Sequence, residues 1–217
     1  MKVIKSILVL FSISLVFQSQ AQLSIGAKGG YSNSWENYGN ADLPQGAEID
    51  INTYNVALLS YWKVGENVSL GSEPAMAQRG AACIPGWFPV FEGDTKLFVT
   101  YIDVPFMCKF DIPVISERLW LSARFGAGPA IAVSAFEETI VSGGDDKPVR
   151  TDVVIGSREV NRWDVGTRSA LAIEHSLGMG NIFVEGSYYH GFLDVAPFTT
   201  SKNRTLSLNL GYIFSLK

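Results

Sequence analysis

The segment at residues 204–214 alternates between apolar side chains and side chains that are mostly polar or small. One set of alternate positions is Leu206, Leu208, Leu210, Tyr212 and Phe214, and the other is Thr205, Ser207, Asn209, Gly211 and Ile213. A period of two is that of an extended strand, in which successive side chains point to opposite faces. The same alternation runs through residues 23–31. Both segments are therefore predicted to be strands with one apolar face.

Six further strands are predicted between these two, at residues 53–63, 67–82, 96–110, 119–136, 161–176 and 181–191. They are 11 to 18 residues long, whereas strands of soluble sheets usually have about five or six. A tilted strand needs about 9–11 residues to cross the hydrocarbon of a bilayer. The lengths favour membrane-spanning strands, and no segment shows an amphipathic helical repeat.

The connections between the predicted strands alternate in length. Short turns at residues 64–66, 111–118 and 177–180 each contain Gly or Pro, and long polar loops lie at residues 34–52, 83–95, 137–160 and 192–201. Membrane barrels have this order, with short periplasmic turns and longer external loops. The expected fold is therefore an all-β, closed, antiparallel up-and-down transmembrane β-barrel of about eight strands.

Charged residues of both signs recur on the strand face opposite to the apolar one. They are Glu73, Arg79, Asp103, Lys109, Arg124, Asp164, Arg168, Glu174 and Glu185. An eight-stranded barrel encloses a lumen just wide enough for side chains to fill, and an unpaired buried charge is costly. We therefore expect a structural charge network that plugs the lumen, formed by Glu73, Arg79, Asp103, Arg124, Asp164, Arg168 and Glu185.

Other residues near the predicted strands have architectural roles. Aromatic residues near the strand ends are expected to form the interfacial girdles of a membrane barrel: Trp35, Trp62, Trp120, Trp163, Tyr188, Phe192, Tyr212 and Phe214. Pro105 and Pro129 fall inside predicted strands. A proline has no N–H for the ladder, so each is expected to mark a bulge.

The first residues follow the pattern of a secretory signal peptide. Lys2 and Lys5 precede an apolar core at residues 7–17, and Ser19 and Ala21 supply small residues before a cleavage point at Gln22. This core is too short to span about 30 Å of hydrocarbon as a helix. We expect a cleaved signal peptide at residues 1–21 and a barrel domain at residues 22–217, located in the outer membrane of a Gram-negative cell.

Charge and cysteine content exclude some functions. The formal net charge of −4 becomes −6 once Lys2 and Lys5 are removed, and there is no basic run. A nucleic-acid partner is therefore not expected. Cys83 and Cys108 are the only cysteines. They fall at opposite ends of a predicted hairpin, so we expect both thiols to be unpaired.

The sequence offers no convincing catalytic or metal-binding pattern. His175 and His190 are the only histidines, and neither lies in a cluster with metal-ligand spacing. A lipid hydrolase would need a His, a Ser and an acid together. Glu185, Ser187 and His190 come closest, but His190 falls on the opposite face of their strand. We expect no enzyme activity, no metal and no cofactor.

The loop at residues 137–160 is the longest polar connection and the one most suited to recognition, because loops on a rigid scaffold commonly carry function. It contains Asp145 and Asp146, for which an ordinary solvated loop is favoured over a weak cation site. Val153, Val154 and Ile155 are apolar enough to extend the flanking hairpin above the membrane.

Several motifs carry a resemblance that covers nearly the whole chain after residue 21. They are Ile25-Gly26-Ala27-Lys28-Gly29-Gly30, Glu73-Pro74-Ala75-Met76-Ala77-Gln78-Arg79-Gly80-Ala81, Tyr101-Ile102-Asp103-Val104-Pro105-Phe106, Gly126-Ala127-Gly128-Pro129 and Leu208-Asn209-Leu210-Gly211-Tyr212-Ile213-Phe214. The chain resembles the Bacteroidetes-type outer-membrane β-barrel family, whose members are often described as PorT-like. The resemblance implies a barrel, not a chemistry, and one branch of the family is implicated in protein secretion. The chain departs from the family in having Ser215, Leu216 and Lys217 after the terminal aromatic residue.

Three functional hypotheses follow. The first is a structural or interaction barrel with a charge-plugged lumen and external loops, whose partners are outer-membrane lipid and a protein of the envelope or of a secretion system. The second is a transporter of small solutes or hydrophobic ligands, which needs a less occupied lumen. The third is a lipid-modifying barrel enzyme. A soluble, lipocalin-like barrel would reverse the two strand faces and place the charges in water.

Overall fold

The computed structural model describes residues 22–38, 50–83, 93–115, 118–141, 148–156, 160–197 and 200–216. The predicted signal peptide at residues 1–21 lies outside these ranges, as do Asp145 and Asp146. Within them the regular structure consists of β-strands. The same residues include no helix long and apolar enough to cross a membrane.

The described residues form eleven strands. In chain order they are β1 (Leu23–Tyr38), β2 (Ile51–Lys63), β3 (Val68–Ser72), β4 (Ala75–Cys83), β5 (Gly93–Asp103), β6 (Phe106–Ile115), β7 (Leu119–Val141), β8 (Val149–Asp152), β9 (Trp163–Leu177), β10 (Gly180–Asp194) and β11 (Ser201–Leu216). β3 with β4, and β5 with β6, each make up one interrupted wall strand, and β8 pairs only with the end of β7. The wall therefore has eight strands.

Pairing of the first strand with the last closes the wall. β1 pairs antiparallel with β11 from Leu23 opposite Leu216 to Tyr38 opposite Ser201, and it pairs with β2 on its other side. All other neighbouring strands are also antiparallel. A closed ring has no free edge, which a membrane requires because hydrocarbon offers no partner for backbone N–H and C=O groups. The predicted fold is confirmed.

Two neighbouring wall strands are interrupted side by side. Residues 73–74 separate β3 from β4, and residues 104–105 separate β5 from β6. Each pair ends in a proline, which cannot donate to the ladder. The gaps have equal length, so pairing resumes in the same parity, with Ala75 opposite Asp103. Each strand therefore keeps the same face towards the lumen on both sides of the gap.

The prediction that both internal prolines mark bulges needs correction. Pro105 lies at the interruption just described. Pro129 lies in a continuous stretch of the β7–β9 ladder, opposite Val165. The register shift between β5 and β7 instead falls at Thr100 and Tyr101. The backbone carbonyl of Pro129 accepts a 3.0 Å hydrogen bond from Val104 N–H. Pro129 therefore still contributes an acceptor to the ladder and lacks only the N–H donor.

The alternation of faces follows the sequence pattern. Along β2 the side chains are buried and exposed in strict alternation for nine residues. On β11, Leu206, Leu208 and Leu210 lie on the outer face and are 56%, 65% and 59% exposed, as predicted. The lumen side of the same strand carries Asn209, which is buried. The barrel is therefore apolar outside and polar inside.

The connection after β7 is more ordered than the sequence predicts. Phe136–Thr139 of β7 pair with β8 to form a hairpin that rises beyond the wall. Strand-favouring residues such as Thr139, Ile140 and Val141 explain this extension into the predicted loop. After β8 the chain continues towards the barrel, where Val153 N–H donates to the Ala135 carbonyl.

An apolar cluster lies at the end of the lumen that carries the long connections. Val160 is completely buried against Val99, Tyr101 and three alanines of β7, with Val153 and Ile155 packed against them. We call this the mouth cluster. The short turns, the start of β1 and the end of β11 lie at the other, periplasmic end, as the order of long and short connections predicts.

Candidate functional site

An ion-pair cluster crosses the periplasmic half of the lumen and begins with Lys28 on β1. Its Nζ lies 2.6 Å from Oε2 of Glu73 and 2.5 Å from Oε1 of Glu185. Glu73 belongs to the interruption between β3 and β4, and Glu185 to β10. All three side chains are buried. One ammonium group therefore connects three parts of the wall.

Arg124 on β7 completes the centre of this cluster. Its Nη1 lies 2.7 Å from Oε2 of Glu185 and 3.5 Å from Oε1 of Glu73, and its Nη2 lies 2.7 Å from Oε1 of Glu174. The Tyr61 hydroxyl also donates to Glu73 Oε1, at 2.5 Å. Each carboxylate is thus met by at least one cation, as buried charges require.

Lys109 on β6 forms the edge of the cluster towards the periplasm. Its Nζ lies 3.1 Å from Oε1 of Glu174 and 2.9 Å from Oδ1 of Asp111. Below it a polar vestibule of about 240 Å³ opens at the periplasmic end. Trp120 lines this vestibule, so its predicted place in a lipid-facing girdle is wrong. The parity of β7 explains this, because Trp120 shares the lumen face with Arg124.

We call Lys28, Glu73, Lys109, Arg124, Glu174 and Glu185 the lower cluster. It contains three cations and three carboxylates, and Asp111 adds a fourth carboxylate beside Lys109 at the periplasmic edge. The contacts join β1, β6, β7, β9 and β10 and the residue that directly follows β3. Such a network stabilises one arrangement of the wall because moving any member leaves another charge buried and unpaired.

A second group of charges, the upper cluster, lies nearer the external end. Arg79 on β4 and Arg168 on β9 both pair with Oδ2 of Asp103, the latter at 2.7 Å. The guanidinium carbon of Arg79 lies 3.6 Å from the ring centroid of Tyr189 and 4.9 Å from that of Tyr101. Desolvated cation–π contacts of this kind contribute about 2 kcal/mol.

Asp164 on β9 is held in the upper cluster by hydrogen bonds. Its Oδ2 accepts from the Tyr189 hydroxyl and from the Asn203 amide, both at 3.1 Å. Its Oδ1 accepts from the backbone N–H of Val165 at 2.8 Å. None of the ion pairs found among the described residues includes Asp164.

Little free volume separates the two clusters. A cavity of about 20 Å³ lies between them, lined by Lys28, Arg79 and Arg168 among others. That volume holds about one water molecule. Above the upper cluster the mouth cluster packs apolar side chains against β5 and β7, and the facing strands carry buried polar side chains such as Ser34 and Thr205. The described lumen thus consists of a periplasmic vestibule, two charged layers and the mouth cluster.

The structure brings together most of the charges that the sequence singles out. Arg79 and Arg168 meet at Asp103, and Arg124 contacts Glu73 and Glu185. Sequence reasoning missed Lys28, which contacts two of the three carboxylates of the lower cluster. Lys28 was part of the alternation at residues 23–31 and had the lumen parity, so its face was available from the sequence although its partners were not.

The residues considered for catalysis and metal binding are not brought together. Glu185 and Ser187 are buried on the lumen side, whereas His190 lies on the outer face with its ring 5.3 Å from that of Phe192. The described residues contain no group of three or more His, Cys, Asp or Glu placed to hold a metal. Cys108 is a free, half-buried thiol.

The outer wall decides the environment of the barrel. Large apolar side chains are exposed on every part of it, including Leu58, Phe106, Phe125, Leu171, Ile173, Val184 and Leu208. A soluble barrel would not expose such a large apolar surface to water, because its apolar face would turn inward. Here the charges are inside and the apolar band is outside, as in outer-membrane barrels. The protein is an outer-membrane β-barrel.

No family model and no curated protein matches the sequence. Among solved structures, the chain is similar to Ail of Yersinia pestis in complex with the heparin analogue sucrose octasulfate, with 17% identity and a TM-score of 0.43 over 90% of this chain and 99% of that chain. It is similar to Neisserial surface protein A, with 9% identity and a TM-score of 0.45 over 89% and 97% of the two chains. It is also similar to OprG of Pseudomonas aeruginosa, with 9% identity and a TM-score of 0.47 over 91% and 98%.

Proposed function

We propose that this barrel is a non-conducting scaffold in the outer membrane, and that its external loops or periplasmic turns contact a protein of the cell envelope. The single observation that carries the proposal is the occupied lumen. Two charged layers and the mouth cluster follow one another along the axis. A solute would have to break several buried ion pairs to pass, at several kcal/mol for each uncompensated charge.

A transport function is the weaker candidate on the same observation. The vestibule of about 240 Å³ reaches only the lower cluster, and the next cavity along the axis is about 20 Å³. A permeation path needs polar, hydrated space along its whole length. Catalysis is not part of the proposal, because Ser187 and His190 lie on opposite faces of β10.

The partner is proposed to be an envelope protein, with the secretion role of the PorT-like branch as the specific candidate. Its support is the resemblance of the motifs around Lys28, Glu73 and Asp103, which are also residues of the two charged clusters. We further propose that residues 1–21 are removed as a signal peptide before the barrel assembles.

Conductance in planar bilayers tests the closed lumen. The folded barrel should show no steady channel, whereas a water-filled porin inserted under the same conditions should conduct. Retention of heat-modifiable gel mobility shows that the inserted protein is folded. A steady open channel from the folded protein would overturn the proposal and favour the transporter.

Site-specific photo-crosslinking in cells tests the partner. A crosslinker at Lys63, exposed at the periplasmic end, or within residues 142–147 reports on the two proposed contact regions. The matched control is a crosslinker at lipid-facing Leu208. The proposal expects a discrete protein adduct from at least one contact region and none from Leu208. Absence of adducts at both contact regions, with a folded barrel, would contradict it.

A further inference from the structure

Arg204 on β11 points out of the barrel near its external end. It lies between Asn203 and Thr205, which are both buried on the lumen side. Its cross-strand neighbours are Trp35 on β1 and His190 on β10. Side chains directly opposite each other in an antiparallel pair have Cβ atoms about 4.5–5.5 Å apart. Arg204 is therefore flanked by two rings on the outer face.

The height of Arg204 places it at the edge of the apolar band. The next outward residue towards the membrane centre is Leu206, opposite Tyr188, and the next one towards the external end is Lys202. Exposed leucines continue below Leu206. Aromatic residues together with cations at the end of an apolar band mark the level of the lipid headgroups.

Neither of these two cations has a counter-ion in the described part of the protein. No ion pair found there includes Arg204 or Lys202. Asp194 lies opposite Lys202 in the register without pairing with it. Asp50, the residue before β2, accepts a hydrogen bond from the Asn33 amide.

The guanidinium of Arg204 is nevertheless well positioned. Its Nη1 donates to the backbone carbonyls of Gly191 and Asn203, at 2.8 and 2.9 Å. Those bonds hold it beside the irregular stretch of β10 between His190 and Asp194. Only 8% of the residue is exposed. Its Nε and Nη2 make no hydrogen bond to a described residue and are not fully buried. These two nitrogen atoms can therefore donate to an acceptor outside the wall.

The opposite side of the barrel shows a different arrangement. Arg150 on β8 also lies at the external end, but Glu138 is its direct cross-strand neighbour, and its guanidinium carbon sits 3.5 Å from the centroid of the Phe136 ring. An acid is thus placed opposite Arg150, as Asp194 is placed opposite Lys202. Arg204 differs from both, because its direct cross-strand neighbours are Trp35 and His190.

We propose that Arg204 and Lys202, with Trp35 and His190, form a binding site for the phosphate of a lipid headgroup in the outer leaflet. A phosphate oxygen accepts charge-assisted hydrogen bonds from a guanidinium in a fixed geometry. The neighbouring aromatic rings pack against the adjoining apolar part of the lipid. The site neutralises Arg204, a nearly buried cation that makes no ion pair with the described residues.

Native mass spectrometry of the folded barrel in detergent tests the site. The probes are lipid A with its phosphates, dephosphorylated lipid A and phosphatidylglycerol. Wild-type barrel should retain phosphorylated lipid A at least about tenfold more tightly than the dephosphorylated form, since a hydrogen bond to a charged group is worth about 1.5–3 kcal/mol. The double variant Lys202→Gln, Arg204→Gln should lose that preference, and the control Arg150→Gln should keep it.

The outcomes separate the sources of phosphate and the effect of folding. Equal retention of phosphatidylglycerol would identify any phosphate lipid as the ligand, and preference for lipid A would identify the glycolipid. If Arg204→Gln prevents folding, Lys202→Gln alone should still weaken retention, because no backbone group of the wall depends on it. Equal retention of the phosphorylated and dephosphorylated forms, or an unchanged preference in the folded double variant, would overturn the proposal.

Discussion

Nζ of Lys28 lies 2.6 Å from Oε2 of Glu73, and this contact connects β1 to the interruption between β3 and β4. Residues 73–74 belong to neither β3 nor β4 and keep a 2.9 Å backbone hydrogen bond from Leu58 N–H to the Pro74 carbonyl, so the position of that stretch depends more on side chains. Glu73 also receives Tyr61 and Arg124 on its other carboxylate oxygen. The lumen charges therefore reinforce the wall where the ladder is weakest.

Replacement of Lys28 by methionine should be strongly destabilising. It leaves Glu73 and Glu185 with one cationic neighbour fewer, and breaking a buried pair typically costs about 3–5 kcal/mol. Urea unfolding of the refolded barrel, followed by tryptophan fluorescence, measures the loss. Lys63→Met is the control, since exposed Lys63 should shift the free energy of unfolding by about 0.5 kcal/mol or less. Equal stability of the two variants would refute a structural role for the lower cluster.

The strands and their faces were predictable because a period of two directly records which side chains share a surface. The interruptions at residues 73–74 and 104–105 were not, since two residues are one full period and leave the alternation unchanged. Parity likewise placed Lys28 in the lumen but could not supply its partners. Contacts across a lumen depend on strand tilt and stagger, which the sequence of one strand does not contain.

The predicted loop at residues 137–160 failed for a different reason. Polar and charged residues dominate its composition, and composition hides the few apolar positions that pack. Val153, Ile155 and Val160 are separated in sequence and show no regular period, yet they meet over the lumen. Their burial follows from the hairpin of β7 and β8, which is a tertiary feature.

Arg79 and Asp103 should be energetically coupled. Truncating either one alone leaves a buried charge, whereas removing both leaves Arg168 as the only unmatched member of their group. A cycle with Arg79→Met, Asp103→Asn and the double variant should therefore give a coupling of about 0.5–3 kcal/mol in unfolding free energy. The same cycle with Arg79→Met and Lys63→Met should be additive. Additivity of the first pair would mean that the contact does not contribute to stability.

The lipid-facing wall should respond to charge according to depth. Leu208 lies at the middle of β11 and Leu216 at its periplasmic end, and both are exposed on the outer face. An arginine at the bilayer midplane costs about 2–4 kcal/mol, and one near the interface about 0–1 kcal/mol. Leu208→Arg should thus destabilise the barrel in lipid far more than Leu216→Arg. Equal effects in urea titrations from vesicles would contradict the proposed position of the membrane.

The long external connection should tolerate change in one part and resist it in another. Deleting residues 142–147 should leave assembly and heat-modifiable mobility intact, because the β7–β8 hairpin is already formed by Phe136–Thr139 and their partners. Val160→Asp should instead lower stability by several kcal/mol, because it places an unpaired charge in the mouth cluster. Deletion within residues 205–214 should abolish assembly, since that stretch of β11 closes the ring against β1. Loss of assembly on deleting residues 142–147 would show that they also pack into the lumen, and would remove them as a surface for recognition.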